Sequence, residues 1–294
     1  MTSRLVVAAA TALIAAAPTQ TIKRLPPVRA LIRSRAWQRL RHRMLLTISE
    51  RDDSTFTRFL RAPTQFEALA GPVLAWVGAD SPDREPVRIV LVGSSTGAEP
   101  YSIASVLRRT RPDVRFELAA YDLRNEMVER ARNATYSECD VFSNNPPADF
   151  VASTFIEREG NYVVQPSIAG CVSFGVADVM DPGLADRVGT ADIVFAQNLL
   201  INFSRQKARA AFPNIARLLR PRSVLFADGM DIDLRARLTR DAGLVPLDYK
   251  IREIHEDVRT IRGDGWPWKY WGVESFAERP DWRQRYATVF LKGA

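Results

Sequence analysis

The stretch VRIVLVGSSTGAEPYSIASVLRR (87–109) constrains the fold of this 294-residue chain more than any other. An almost wholly apolar hexapeptide runs into Gly93, a loop of small residues, Gly97, and then a helix-forming segment. A strand that is apolar at successive positions must be covered on both faces, as in a parallel sheet between layers of helix. The glycines let backbone approach a ligand, and the helix behind them aims unpaired N–H groups at it. The spacing G-x-x-x-G is not the G-x-G-x-x-G of dinucleotide binders, which disfavours a dehydrogenase.

The same alternation continues. Strands are expected at 116–121, 171–176, 193–197 and 223–227, with helices at 99–109, 124–133 and 205–219 and a last strand at 286–291. Residues 136–167 read as an excursion, broken at NNPP (144–147), with a further helix starting within 150–157. The aromatic run Trp266, Trp268, Tyr270 and Trp271, followed by Phe276, reads either as a packed flap or as a substrate-side lid. Upstream, the pattern from 22 to about 74 is helical, and 78–86 is a polar, proline-punctuated linker. The expected organisation is therefore an apolar N-terminal segment (1–21), a basic helical domain with linker (22–85), and an α/β domain with an aromatic extension (86–294).

Composition excludes several chemistries. With 46 % apolar and 26 % charged residues the chain is globular, and two cysteines (Cys139, Cys171) and two histidines (His42, His255) leave little for a disulfide scaffold, a metal site or a histidine triad. No metal is expected, and His255 reads as a surface residue within the charged stretch 252–257. The net charge of +7 is concentrated: residues 1–62 carry twelve Lys and Arg against three acids. That segment could meet a protein or a membrane surface, while its few aromatic residues argue against nucleic acid. The apolar run 5–17 is shorter than the roughly 20 residues of a spanning helix. It suits a packed helix, a peripheral membrane contact or an export signal. The expectation is a cytoplasmic protein, with membrane association left open.

Ligands of such sheets bind at the carboxyl ends of the strands, and there the sequence repeatedly places polar groups. Asp122 ends the second strand, where an acid can accept both hydroxyls of a ribose. Asp178 follows the third strand and could accept from an adenine amino group; Asn198 follows the fourth, where the mouth faces the reacting atoms. Each acid could equally be a helix cap or a solvated loop residue, but strand after strand ending in a polar group favours a site.

STGAEPYSIA (95–104) resembles the STGEEPYSIA signature of the chemotaxis-receptor (CheR-type) methyltransferases, which use S-adenosylmethionine. YDL (121–123) with VERARNATY (128–136) is similar to the family's D-I-D and L-x-x-A-R-x-G-x-Y. NLLINF (198–203) is similar to N-V-M-I-Y-F, LLRPRSVLFA (218–227) to L-L-K-P-D-G-L-L-F-A, and TRFLR (57–61) to T-x-F-F-R. The resemblance covers roughly 54–229 and implies a class I methyltransferase (Rossmann-like) α/β fold with a small N-terminal helical domain. It further implies that Gly93, Ser95, Thr96 and Gly97 form the cofactor loop, that Glu99 faces the methionyl amino group, that Asp122 holds the ribose and that Asp178 lies near the adenine. Thr57 and Arg61 would reach over the site, and Arg61, Asn198 and Asn202 would line the transfer side. Two departures fall on that side: Asn202 stands in place of an aromatic residue, and Gln197 in place of an arginine.

The implied activity is methyl transfer from S-adenosylmethionine to an unidentified acceptor, with a carboxylate on a protein Glu or a small acid favoured because it is already ionised and needs no base. The alternative is a non-catalytic module that binds S-adenosylmethionine.

Overall fold

The computed structural model describes residues 57–81, 85–262 and 274–293. The apolar run 5–17, most of the basic segment and the aromatic cluster 266–271 lie outside them. Ten strands occur among the described residues: β1 (Val87–Val92), β2 (Phe116–Asp122), β3 (Thr135–Ser137), β4 (Phe155–Arg158), β5 (Asn161–Val164), β6 (Val172–Val176), β7 (Ala191–Gln197), β8 (Leu219–Asp228), β9 (Val245–Pro246) and β10 (Val289–Leu291). The principal helices are α1 (Pro63–Ala68), α2 (Ala98–Thr110), α3 (Asn125–Asn133), α4 (Ala148–Thr154), α5 (Arg205–Ala216), α6 (Ile232–Asp241), α7 (Ile251–Arg262) and α8 (Trp282–Tyr286).

Seven strands form one sheet in the order β6-β2-β1-β7-β8-β10-β9. The first five are parallel, and β10 enters antiparallel to both β8 and β9. The apolar run of β1 is explained by two cores. Ile89 and Leu91 face one, with Ile103 and Leu107 of α2, and Val90 and Val92 face the other, with Phe212 and Ile215 of α5. This is the mostly parallel, doubly covered sheet expected of a class I methyltransferase. Successive strands step from β1 outward to β2 and β6 on one side and to β7 and β8 on the other. The crevice at the carboxyl ends of β1 and β7 is therefore the topological switch point.

Several sequence expectations shift at element ends. The helix expected to reach 219 stops at Ala216, and β8 begins at Leu219. The expected last strand starts late because Trp282–Tyr286 closes a helical turn first, leaving only Val289–Leu291 in the sheet. The excursion holds a small antiparallel sheet, β3-β5-β4, built around edge-to-face contacts among Phe59, Tyr136, Phe155 and Tyr162. The helix placed within 150–157 starts at Ala148 and ends at Thr154, and Phe155 already belongs to β4. Strands of three or four residues are too short for a period of two to show in the sequence.

Among the described residues, Phe59, Leu60, Leu69, Val73 and Leu74 join the core beside β1, within Thr55–Ala294, one of two compact units of the chain. Helix α1 continues through a π turn, Leu69–Val73, into Leu74–Trp76. Pro72 sits inside that turn, where its missing N–H cannot complete the normal ladder.

Candidate functional site

The loop after β1 is held by its neighbour. The amides of Gly93 and Ser94 both donate to the carbonyl of Tyr121, at 2.7 and 2.9 Å. Ser95 N–H donates to the Asp122 carboxylate at 2.7 Å, and Arg124 N–H donates to its other oxygen at 3.0 Å. The glycine turn and the acid that closes the adjacent strand therefore meet at one end of the sheet. Each Asp122 oxygen accepts one main-chain bond, and a carboxylate has about four lone-pair sites, so it can bond a ligand as well as the loop.

Several residues here adopt left-handed backbone. Gly93 has φ +83° and Gly97 φ +92°, and two non-glycine residues, Ser95 (φ 49°) and Asn198 (φ 54°), share the region. Such conformations cost energy in an L-residue and collect where a function requires them. Ser94 and Ser95 also bury hydroxyl oxygens without a hydrogen-bond partner. Unsatisfied buried donors in a loop that caps α2 are what a cofactor with hydroxyl, carboxylate and amino groups would satisfy. The residues present fit S-adenosylmethionine.

Around the corner of the crevice a pocket is lined by Arg58, Arg61, Ala62, Gln65, Phe66, Glu99, Phe195 and Gln197. Glu99 stands in the first turn of α2. Burial pushes its carboxyl up to about 7, against the opposing pull of the Arg61 guanidinium and with a further push from Asp228. A carboxyl poised near neutrality beside an arginine is a group whose charge a bound cation would settle.

Of the residues expected at the site, Gly93, Ser95 and Asp122 meet directly, and Glu99 and Arg61 share the pocket. Thr96 lies in the loop between them, its carbonyl accepting from the Tyr136 hydroxyl at 2.5 Å. Asp178 follows β6, the neighbour of β2, and one of its oxygens accepts from Met180 N–H at 2.8 Å. Asn198 follows β7, its N–H donating to the Asp228 carbonyl at 2.9 Å. Asn202, half-exposed at the end of a 3₁₀ turn, and Thr57, half-buried, do not line the pocket.

Three features lay outside the sequence expectations. Gln197, noted only as a departure, donates to Gln65 at 2.8 Å, and Gln65 donates to Thr288 at 2.6 Å, a buried chain joining β7, α1 and the approach to β10. Asp228 and Arg235 form a fully buried ion pair behind the mouth. His255 is not on the surface: it is 1 % exposed, with Nε2 2.6 Å from the Glu274 carbonyl and its ring against Tyr286. The signal was the spacing of Ile251, Ile254, His255 and Val258 along α7, which puts His255 on the apolar face.

Residues 55–231 match the family described as CheR methyltransferase, SAM binding domain. A probable biofilm formation methyltransferase, WspC, from Pseudomonas putida is 32 % identical over 193 residues, covering 65 % of this chain and 44 % of that protein. WspC of Pseudomonas aeruginosa is 29 % identical over 207 residues, 70 % of this chain and 48 % of that one. Chemotaxis protein methyltransferase 2 of Vibrio cholerae is 29 % identical over 184 residues, 62 % of this chain and 61 % of that one. The chain thus spans about half the length of the curated relatives it matches. With more than half of its residues matched, the chain belongs to the CheR methyltransferase, SAM-binding domain family.

Proposed function

We propose that this protein transfers a methyl group from S-adenosylmethionine to a carboxylate, on a protein Glu or a small acid. The observation that carries the reading is the 2.7 Å bond between Ser95 N–H and Asp122, which gathers loop and acid at the switch point beside the Glu99–Arg61 pocket. When bound, the sulfonium supplies an electrophilic methyl, and transfer is an in-line displacement governed by alignment in a dry site. The chain's part is positioning. In this reading Asp122 accepts from the ribose, Asp178 lies toward the adenine, the Ser94–Thr96 loop turns hydroxyls and amides to the ligand, and Glu99 takes the ammonium. Arg61, with Arg58 beside it, would orient the acceptor carboxylate by charge-assisted hydrogen bonds.

The preference for a carboxylate acceptor rests on what lines the pocket. Among the described residues its lining includes a single group able to take a proton, Glu99, and in this reading the ammonium engages it. His255 is buried elsewhere, bonded to Glu274. A phenol or alcohol acceptor would need a base that the lining does not offer, whereas a carboxylate needs none. The names of the relatives, chemotaxis and biofilm formation methyltransferases, are consistent with such chemistry.

The test uses calorimetry and a labelled methyl donor. S-Adenosylmethionine and its demethylated product should bind the wild type, and Asp122→Ala should abolish both. Arg61→Ala should keep cofactor affinity and lose transfer. Label transferred to cell-extract acceptors should leave as methanol in mild base, as from a carboxyl ester. Base-stable label would overturn the carboxylate assignment, and binding without any transfer would make the chain a binding module.

A further inference from the structure

Asp228 ends β8 in register with Gln197 of β7, and neither the loop motif nor the sequence patterning pointed to it. It is 2 % exposed, and its Oδ1 lies 2.7 Å from Nη1 of Arg235, itself without solvent exposure. The second arm of Arg235 donates to the Arg285 carbonyl at 3.1 Å. Arg285 in turn grips Glu274 with two nitrogens and Asp233 with a third. The mouth of the sheet is thereby tied to α8 through one ion pair and one hydrogen bond to a main-chain carbonyl.

A fully buried ion pair is a poor way to gain stability. Desolvation of both charges offsets most of their attraction, and apolar residues of similar size often do as well. Its position offers another reason. The Asp228 carbonyl holds Asn198 N–H, fixing the left-handed residue that opens the mouth. Its register partner Gln197 lines the same pocket as Glu99.

We propose that Asp228, clamped by Arg235, is a positioning residue of the cofactor site: it fixes the end of β8 beside Gln197 and Asn198 and places its carboxyl group on the sheet face that Gln197 turns to the pocket of Glu99. This rests on the reading of Glu99 as the partner of the methionyl ammonium. Arg61 faces Glu99 from the segment before α1 and favours its charged form, while Asp228 disfavours it. The pair itself is faced by His255 of α7 and lies next to Arg285 of α8, with Asp231 and Asp233 at the start of α6 and Glu274 beyond. Burial does most to raise the Glu99 pKa, and Asp228 adds to it against the opposing pull of Arg61.

The experiment is calorimetry of S-adenosylhomocysteine on the full chain between pH 5.5 and 8.5. Wild-type affinity should be level at high pH and fall below a midpoint near 7. Asp228→Asn removes the opposing group, so the midpoint should move down and binding at pH 6 should become tighter than wild type. Structural damage alone weakens binding, so a tighter variant separates the two roles. Should Asp228→Asn fail to fold, the double variant Asp228→Asn/Arg235→Met, free of this buried ion pair, carries the test with a downward shift smaller than that of the single variant, because the Arg235 cation is removed too.

An unchanged or higher midpoint in whichever of Asp228→Asn and the double variant folds overturns the proposal. A wild-type affinity that is flat across the range also overturns it, by removing Glu99 as the ammonium partner. Absence of wild-type binding rejects the cofactor assignment itself.

Discussion

Gly97→Ala offers the sharpest test of how the cofactor loop is built. Gly97 caps α2 with φ +92°, and a Cβ there would lie 3.0 Å from Ala131 Cβ, 3.0 Å from Tyr136 Oη and 3.2 Å from Tyr101 Cε2. The left-handed conformation costs an alanine roughly 1–2 kcal/mol. Forcing a methyl against three neighbours adds about 1–3 kcal/mol, as overpacking does elsewhere. The sum, roughly 2–5 kcal/mol, is a large share of a stability that is ordinarily about 5–15 kcal/mol.

Gly160 supplies the control. It turns the chain between β4 and β5 with φ +76°, next to Glu159 at φ 50°, and a Cβ there meets nothing within 4 Å. Gly160→Ala should therefore cost only the backbone part, about 1–2 kcal/mol. Urea unfolding of the two variants beside wild type, with matching slopes, isolates the steric difference. Equal losses would refute the claim that α2, α3 and Tyr136 close around Gly97. The Tyr136 hydroxyl bonds the Thr96 carbonyl at 2.5 Å, so Gly97→Ala should also weaken S-adenosylhomocysteine binding, which Gly160→Ala should leave intact.

Two further predictions concern protons. Glu99 is pushed up to about 7 in the free protein, and a cationic ligand prefers its charged form. Cofactor affinity should thus be about tenfold weaker at pH 6 than at pH 8; Glu99→Gln should flatten the profile, and a profile that keeps its slope in that variant would remove Glu99 from the site. Burial holds the His255 pKa below its ordinary value, so the folded protein takes up its proton later than the unfolded chain does. Stability should be full above about pH 6.5 and decline as pH falls toward the folded-state value. Thermal melts of wild type and His255→Gln at pH 5 and 7.5 should show a smaller acid loss in the variant, though the variant is less stable at both.

Much of this protein is legible in its residues alone. The paired apolar faces of β1, the glycines around its loop, the acid ending β2 and the acid following β6 are local features of the chain, so periodicity and spacing reveal them. The family signature at 95–104 adds the cofactor. By contrast, the three-residue strands of the excursion carry too few positions to show a pattern. The late start of β10 was set by α8 closing a helical turn ahead of it.

Partnership between distant residues was not legible at all. Gln65 lies 132 positions from Gln197 and 223 from Thr288, and only folding brings it within 2.8 Å of each. Asp228 and Arg235 read as ordinary charged residues until burial deprives them of water. His255 changed from surface to core because its neighbours on α7, not its own polarity, chose the face. The amino-acid order determined which elements form and where a ligand loop must lie, since those depend on short-range sterics and hydrophobic period. The tertiary structure decided which polar groups lose solvent and whom they meet, because desolvation and Coulomb energy depend on three-dimensional surroundings that sequence separation does not encode.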